Sequence, residues 1–217
     1  MIQDFERFEN EFDALRKLFP TRVDAALPRL REIYNYTEER WHEYAAEIPE
    51  GVVRYVLIAE APPWSSDGTP QFLLDPESRS RLLLGALQRV FPQANSKSPA
   101  DTLKVLAKHG FLLLDSIPFA MDYSSKRSSP RYDDLLRLTA RTYLQAKIDA
   151  SPLTWSRKMR VAFAFKRNAR AIIGACGGQL SFGGNLHTLS TEQIAANGAG
   201  YPDALKLRNL YEVDPAR

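Results

Sequence analysis

The stretch that decides the fold is Val52-Val53-Arg54-Tyr55-Val56-Leu57-Ile58-Ala59-Glu60-Ala61-Pro62-Pro63-Trp64. An apolar run rich in valine and isoleucine ends abruptly in a carboxylate and two prolines. Such runs are typical of buried strands in parallel sheets. In open α/β sheets, ligands bind just beyond the carboxyl ends of the strands. The sequence therefore predicts a strand over 52–59 that delivers Glu60 to this edge, in a loop that Pro62 and Pro63 stiffen.

A second apolar stretch repeats this layout, because Phe111-Leu112-Leu113-Leu114 ends in Asp115. Further strands are predicted at 160–165 and 179–182, with helical periodicity between the strands. Alternating strands and helices predict a parallel sheet that is covered on both faces. The expected fold class is α/β, a three-layer α/β/α arrangement around a central four-stranded parallel sheet, preceded by N-terminal helices.

The length of 217 residues predicts one domain over 1–217. Phe5, Phe8, Phe12 and Leu15 recur at helical spacing, so we expect a helical N-terminal extension over 1–50 and an α/β core over 51–212. The start of the chain lacks the pattern of a signal peptide. No apolar run approaches the roughly 18 residues that a membrane helix needs. These features predict a cytoplasmic protein with no membrane partner, and they leave its oligomeric state open.

Charge is distributed unevenly along the chain. Residues 1–50 hold 7 Lys/Arg and 12 Asp/Glu, whereas residues 124–170 hold 12 Lys/Arg and 3 Asp/Glu. A basic segment of this kind favours a polyanionic partner such as DNA, because phosphate contacts supply most of the sequence-independent affinity. A solvated basic face without a ligand is the alternative.

Several classes of site are disfavoured by what the sequence lacks. It has one cysteine, Cys176, and three histidines far apart, so no metal site is expected. It has no Gly-x-Gly-x-x-Gly motif and no Walker motif, which disfavours dinucleotide enzymes and nucleoside triphosphatases. We therefore expect no cofactor.

Three side chains that follow predicted strands are candidates for chemistry. Glu60 is suited to activating water or stabilising a cation, and its alternative role is that of a surface acid or helix-cap partner. Asp115 either joins Glu60 or caps the next loop. His187 follows the predicted strand at 179–182, although a loop histidine is often merely exposed. Because parallel strands share one carboxyl edge, these three residues are expected to converge.

The loop from Tyr123 to Tyr132 combines hydroxyl groups, cations and aromatic rings. This composition suits a nucleic-acid backbone, and a flexible basic loop without a ligand is the alternative. The side chains predicted to make such contacts are Ser124, Ser125, Lys126 and Arg127.

Taken together, these landmarks resemble the uracil-DNA glycosylase superfamily. The run 57–63, Leu-Ile-Ala-Glu-Ala-Pro-Pro, is similar to the Gly-Glu-Ala-Pro-Gly loop of some members. An aromatic residue follows about a dozen positions later at Phe72. The run 110–118 is similar to the family's second strand, with Asp115 where an Asn is typical. Residues 186–190, Leu-His-Thr-Leu-Ser, are a degenerate form of the family's His-Pro-Ser motif.

The resemblance implies a DNA glycosylase-like hydrolase that cleaves the N-glycosidic bond of a flipped, damaged or deaminated base. Glu60 and His187 would be catalytic, stabilising the sugar cation and the departing base. Phe72 would stack on the base, with Pro62 beside it, and Asp115 would read its edge. An ionised Asp115 is an acceptor only, so it departs from the family's amide.

Two alternatives stay open on the sequence alone. The degenerate motif around His187, which keeps Ser190 as a backbone contact, also fits an inactive nucleic-acid-binding protein of the same fold. An unrelated α/β hydrolase that uses Glu60 and His187 on a small molecule is the third possibility.

Overall fold

The computed structural model describes residues 4–64, 72–77, 81–196 and 202–213. Its helices are α1 (Glu9–Leu18), α2 (Val23–Ala46), α3 (Arg81–Val90), α4 (Pro99–Lys108), α5 (Pro130–Thr139), α6 (Ala146–Ala150), α7 (Lys166–Ala175) and α8 (Ala204–Tyr211). Its strands are β1 (Val52–Ala59), β2 (Phe111–Asp115), β3 (Thr154–Phe163), β4 (Gln179–Phe182) and β5 (Asn185–Thr188). In the ranges described, no helix is both long enough and apolar enough to cross a membrane.

The central sheet is parallel, with β1 between β2 and β3. The register pairs Ala59 with Asp115, so the ends of β1 and β2 lie side by side. These three strands confirm the predicted mixed α/β class, and β3 begins earlier than the predicted residue 160. All the residues of β2 are buried, as expected of a strand covered on both faces.

The predicted fourth strand of this sheet is wrong for the described residues. Residues 179–182 form β4, which pairs antiparallel with β5 in a separate two-stranded sheet. The reason is the turn between them, because Gly183 and Gly184 have φ values of +58° and +81°. Two residues with positive φ form the tight turn that favours a hairpin. Beside β3, at the place expected for the fourth strand, Ile194 makes a single parallel bridge to Phe163.

The N-terminal helices cover the outer side of β2. The indole of Trp41 on α2 donates to the Leu113 carbonyl at 2.9 Å, and the Tyr44 hydroxyl donates to the Phe111 carbonyl at 3.0 Å. A covered edge strand cannot pair with another chain. Residues 1–50, predicted as an extension, therefore contribute directly to the layer around the sheet.

Helices α5 and α7 run side by side in the same direction. Arg167 near the start of α7 forms an ion pair with Asp133 near the start of α5, at 2.7 Å, and Arg141 donates to the Ala175 carbonyl at the end of α7. Ser129 caps α5 at its first turn, with Pro130 as the first helical residue. Because α7 begins just after β3 ends, both helices present their amino ends at the carboxyl edge of the sheet.

A π-helical turn, Ala140–Gln145, joins α5 to α6. Such turns shift the register of the side chains by one residue and are frequent near functional sites. Here Tyr143 of the turn and Lys147 of α6 both contact the buried carboxylate of Glu38 on α2. The turn therefore ties the second half of the chain to the N-terminal helices.

Candidate functional site

Glu60 lies at the carboxyl edge of β1, as predicted, and is buried. Its two carboxylate oxygens accept from the guanidinium of Arg127, at 2.8 Å from Nε and 2.5 Å from the terminal nitrogen. The hydroxyl of Tyr132 donates to the same carboxylate. We call Glu60, Arg127 and Tyr132 the Glu60 cluster. Two-pronged pairing with arginine is among the stronger charge-assisted contacts, so it fixes the carboxylate in one orientation.

The backbone around Glu60 is fixed as firmly as its side chain. The Ser116 hydroxyl contacts the carbonyl oxygens of Ala59 and Glu60 at 2.8 and 2.9 Å. The backbone N–H of Ile117 donates to the Glu60 carbonyl at 2.8 Å. The buried Asn168 of α7 donates to the Ser116 hydroxyl. Residues that follow β1, β2 and β3 thus meet in one hydrogen-bonded layer.

Only the arginine of the Glu60 cluster reaches solvent. The Arg127 side chain is 48% exposed, whereas that of Glu60 is 9% exposed. The guanidinium also lies over the Phe165 ring, 5.7 Å from its centroid. Hydrogen bonding to Glu60 raises the pKa of Arg127 further above its ordinary value, so the cation persists at any physiological pH. Arg127 therefore presents part of a fixed positive charge to the exterior directly above a buried acid.

Asp115 is buried beside Glu60 at the end of β2, as the sequence predicted. Burial raises the pKa of Asp115 to about 7, with Lys147 opposing the shift and Glu38 and Glu60 adding to it. Near neutral pH this carboxyl is divided between its acid and its ionised form. In its acid form Asp115 donates one hydrogen bond and also accepts others. An ionised carboxylate accepts hydrogen bonds but has no proton to donate.

A second buried ion pair, Glu38 with Lys147, lies close enough to Asp115 to affect its pKa. Lys147 donates to Glu38 at 2.5 Å, and the Tyr143 hydroxyl donates to the same oxygen at 2.9 Å. We call Glu38, Tyr143 and Lys147 the Glu38 cluster. The ammonium group also lies 4.5 Å from the centroid of the Trp41 ring, a favourable cation–π distance. This cluster was not predicted from the sequence, because Tyr143 and Lys147 lie 105 and 109 positions from Glu38 along the chain.

His187 does not lie with Glu60 and Asp115. It sits on β5, where its ring packs edge-on against Phe182, which in turn packs against Trp155. Trp155 pairs with Val53 at the start of β1, at the opposite end of the strand from Glu60. The expectation of convergence is therefore wrong for His187. It depended on β4 being part of the central sheet, whereas β4 and β5 form a separate hairpin that holds the histidine beside Phe182 and Gln193.

The ring of His187 is partly buried among neighbours of its own. Its Nε2 contacts the side-chain nitrogen of Gln193 at 3.3 Å. Burial and the charge of Arg160 lower the pKa of His187. Arg160 is level with Tyr55 in the register, and five residues of β1 at about 3.3 Å each separate that level from Glu60, roughly 16 Å. Ser190, predicted as a backbone contact, caps the short helix Thr191–Gln193 instead.

Phe72 and Pro62, predicted to bind a base, are both buried. Phe72 is 2% exposed and belongs to the main hydrophobic core together with Leu73 and Leu74. A ring so enclosed has no free face for stacking in this arrangement. Pro62 lies two residues after Glu60, in the loop that follows β1.

The predicted basic loop lies at the carboxyl edge. Ser124 and Ser125 are exposed, and the Ser124 hydroxyl donates to Asp122 at 2.5 Å. Lys126 lies over the ring of Phe19, 5.6 Å from its centroid. Arg127 alone among the predicted contacts is committed to a buried carboxylate. The loop is thus anchored by its aromatic and acidic neighbours, with its hydroxyl groups facing outward.

A basic groove that was not predicted from the sequence lies between α5 and α7. It is a cavity of about 380 Å³ lined by Asp133, Arg137, Lys166, Arg167, Arg170 and Ala171. In the described part of the chain, no carboxylate forms an ion pair with Lys166 or Arg170, whereas Arg167 pairs with Asp133. A signal was present, since 166–168 follow the third strand just as Glu60 follows the first. The helix amino ends at this groove add to its positive potential.

Comparison with known proteins supplies no relative for this arrangement. No family model, no curated protein and no solved structure matches the chain. The chemistry of the site is that of its own residues, a basic surface beside two buried carboxyl groups.

Proposed function

We propose that the protein binds DNA along the carboxyl edge of the central sheet. The observation that carries the proposal is the juxtaposition of the loop 124–129 with the groove between α5 and α7. Positively charged side chains from the loop and from the groove lie along the same edge of the sheet. The carboxylates near them are too few to neutralise them. The members of this basic edge are Lys126, Arg127, Arg131, Arg137, Lys166, Arg167 and Arg170.

Phosphates suit this edge for three physical reasons. Lys166 and Arg170 are available for a phosphate because no carboxylate in the described structure pairs with them. Two parallel helices point their positive ends the same way. The exposed hydroxyl group of Ser125 is able to donate to a phosphate oxygen. Such contacts position a nucleic acid without reading its sequence, so we expect salt-dependent binding with modest base preference.

The uracil-DNA glycosylase-like fold belongs to the same proposal. It is supported by the parallel order of β2, β1 and β3, by Ile194 beside β3, and by Glu60 and Asp115 at adjacent strand ends. Two features favour a binding role over base excision. Glu60 is neutralised by Arg127, and His187 lies on the separate two-stranded sheet, where its ring contacts Phe182 and Gln193.

The test is DNA binding measured by fluorescence anisotropy over a range of salt concentrations, with single-stranded and duplex oligonucleotides. Lys166→Ala and Arg170→Ala are each expected to weaken binding to all sequences and to reduce the salt slope by about 1. Lys108→Ala, an exposed lysine at the end of α4, is the matched control and should leave binding unchanged. Equal losses in all three variants would refute a specific basic edge.

Base excision is the second candidate, favoured by the protonation of Asp115. Its acid form would donate to a carbonyl oxygen of an extruded base, while Glu60 would stabilise positive charge on the sugar. Water would bond to the anomeric carbon as the N-glycosidic bond breaks. The bonding electrons would leave with the base, which would take up the proton lost by the water. Arg127 would first have to exchange Glu60 for a DNA phosphate.

Base release from oligonucleotides that carry uracil, hypoxanthine, xanthine or alkylated bases separates the two candidates. Release that disappears in Glu60→Gln would establish a glycosylase. The conservative change keeps the size of the side chain and its hydrogen bond from Tyr132. Salt-dependent binding without release would assign the protein to the non-catalytic class.

A further inference from the structure

A second positively charged cavity lies at the opposite end of the sheet, near the amino-terminal ends of the strands. It measures about 290 Å³ and is lined by Arg54, Tyr55, Ser156, Lys158, Arg160, Tyr211 and Glu212. Its residues come from β1, from β3 and from the end of α8. It shares no lining residue with the basic groove between α5 and α7.

A bulge in β3 forms one wall of this cavity. Val53 pairs with Trp155 and Tyr55 with Arg160, so four residues of β3 lie opposite a single residue of β1. Bulges of this kind re-aim side chains and are common near functional sites. Within it, the Ser156 hydroxyl accepts from the backbone N–H of Lys158, which fixes the turn of the bulge. The bulge thus brings an exposed ammonium group and a hydroxyl group to the mouth of the cavity.

The floor of the cavity is aromatic and rigid. The Tyr55 ring packs against Phe91 and Tyr211, with centroids 5.3 and 5.2 Å away. The buried Tyr211 hydroxyl donates to the Val56 carbonyl of the central strand at 3.0 Å. A floor held in this way needs no rearrangement before a ligand binds.

Cations outnumber carboxylates at this cavity by three to one among its lining residues. Glu212 supplies the one carboxylate, and it forms an ion pair with Arg160 from a backbone position with φ of +53°. Both partners are largely exposed, so the pair is weak and its carboxylate is replaceable by a stronger anion. The cavity is thus already the contact site of one anionic group.

We propose that this cavity is a second anion site, which takes the phosphate group of a nucleotide, either free or within a nucleic-acid strand. Arg160 would exchange Glu212 for the phosphate, and Lys158 and Arg54 would complete its neutralisation. The proposal is independent of DNA binding at the carboxyl edge, because the two sites have no residue in common.

Two histidines report on the field of this site. The pKa of His109 is lowered by burial and by Arg54, and the pKa of His187 is lowered by burial and by Arg160. An anion bound between the two arginines would offset their charge. It would therefore raise the pKa of both histidines toward the ordinary value.

The experiment is an NMR titration of the histidine rings with pH, without ligand and with inorganic phosphate, adenosine 5′-monophosphate or an oligothymidylate. A rise in the pKa of both His109 and His187 is expected for at least one of these anions. Saturation by inorganic phosphate or the mononucleotide indicates a free ligand, and saturation by the oligonucleotide alone indicates a strand. Lys158→Glu and Arg160→Gln should each weaken binding about tenfold or more.

Lys166→Glu makes the same change of charge as Lys158→Glu at the other edge and should leave the histidine titrations as in the wild type. Unchanged histidine pKa values with all three anions would overturn the proposal. So would loss of the response in Lys166→Glu, because the anion would then be bound at the carboxyl edge.

Discussion

Two buried glutamates near Asp115 have the same kinds of partner. Glu38 is held by Lys147 and Tyr143, and Glu60 by Arg127 and Tyr132. They differ in the cation. The Lys147 side chain is 7% exposed, whereas that of Arg127 is 48% exposed.

The difference shows that the exposure of the cation determines whether a buried ion pair only stabilises the fold or can also bind a ligand. A buried ion pair has lost most of its hydration, so removing one charge leaves the other poorly solvated. A cation that is half in water is able to exchange its carboxylate for another anion with water completing its shell. The Glu38 cluster therefore stabilises the contact between α2 and α6. The Glu60 cluster is suited to bind an anionic ligand through Arg127.

Lys147→Met is expected to have the largest effect on stability. It leaves Glu38 buried without a cation and should lower the free energy of unfolding by about 3–5 kcal/mol. The measurement is urea unfolding followed by circular dichroism. The double variant Glu38→Gln/Lys147→Met, which removes both charges and keeps an acceptor for Tyr143, should recover most of the loss. A single variant that costs less than about 1 kcal/mol would contradict a sealed ion pair.

Asp115 provides the next effect, through pH. Its folded pKa of about 7 lies above its ordinary value of 3.8, so the folded state binds more protons between these values. Its contribution to stability is therefore complete below about pH 4 and is lost as the pH rises through 7, by as much as about 4 kcal/mol. Asp115→Asn should stabilise the protein at pH 8 relative to wild type and flatten this part of the profile. Urea unfolding of wild type and Asp115→Asn at pH 5 and pH 8 measures both effects. If the free energy of unfolding changed with pH equally in the two proteins, Asp115 would titrate normally.

The two tyrosines allow a matched pair of substitutions. Tyr143→Phe and Tyr132→Phe each remove one hydroxyl that donates to a buried carboxylate. Hydrogen bonds to charged groups contribute about 1.5–3 kcal/mol. The loss should be larger for Tyr143, because solvent reaches the Glu60 cluster along Arg127. Thermal and urea unfolding of both variants would show the order, and a reversed order would contradict the difference in sealing.

Arg127→Ala should have the smallest effect on stability, about 1 kcal/mol, because water is able to replace a half-exposed cation. Its effect on DNA binding should be larger in relative terms, with a lower salt slope than wild type. Arg137→Ala, an exposed arginine on α5, is a control for the loss of one charge from the groove. A stability loss as large as that of Lys147→Met would mean that the two clusters are equivalent.

Local sequence patterns predicted much of the framework. The apolar runs at 52–59 and 111–114 predicted two strands, and the polar residues after them correctly placed Glu60 and Asp115 at one edge. The fourth strand was predicted from the same kind of pattern and was wrong in its partner. The sequence of a short apolar strand does not specify which strand it pairs with. Here two glycines with positive φ, Gly183 and Gly184, favour a hairpin.

The sequence by itself determined the strands β1 and β2 and the helices that precede them, because periodicity acts over a few neighbouring positions. It did not predict β5 or the early start of β3. It also determined that a basic segment follows an acidic one. Only the tertiary structure decided that Arg127 pairs with Glu60, that Lys147 is buried against Glu38, and that His187 lies on a hairpin outside the central sheet. Those contacts join residues that are distant along the chain. Their strength depends on how much water remains around each charge, which only the packed molecule sets.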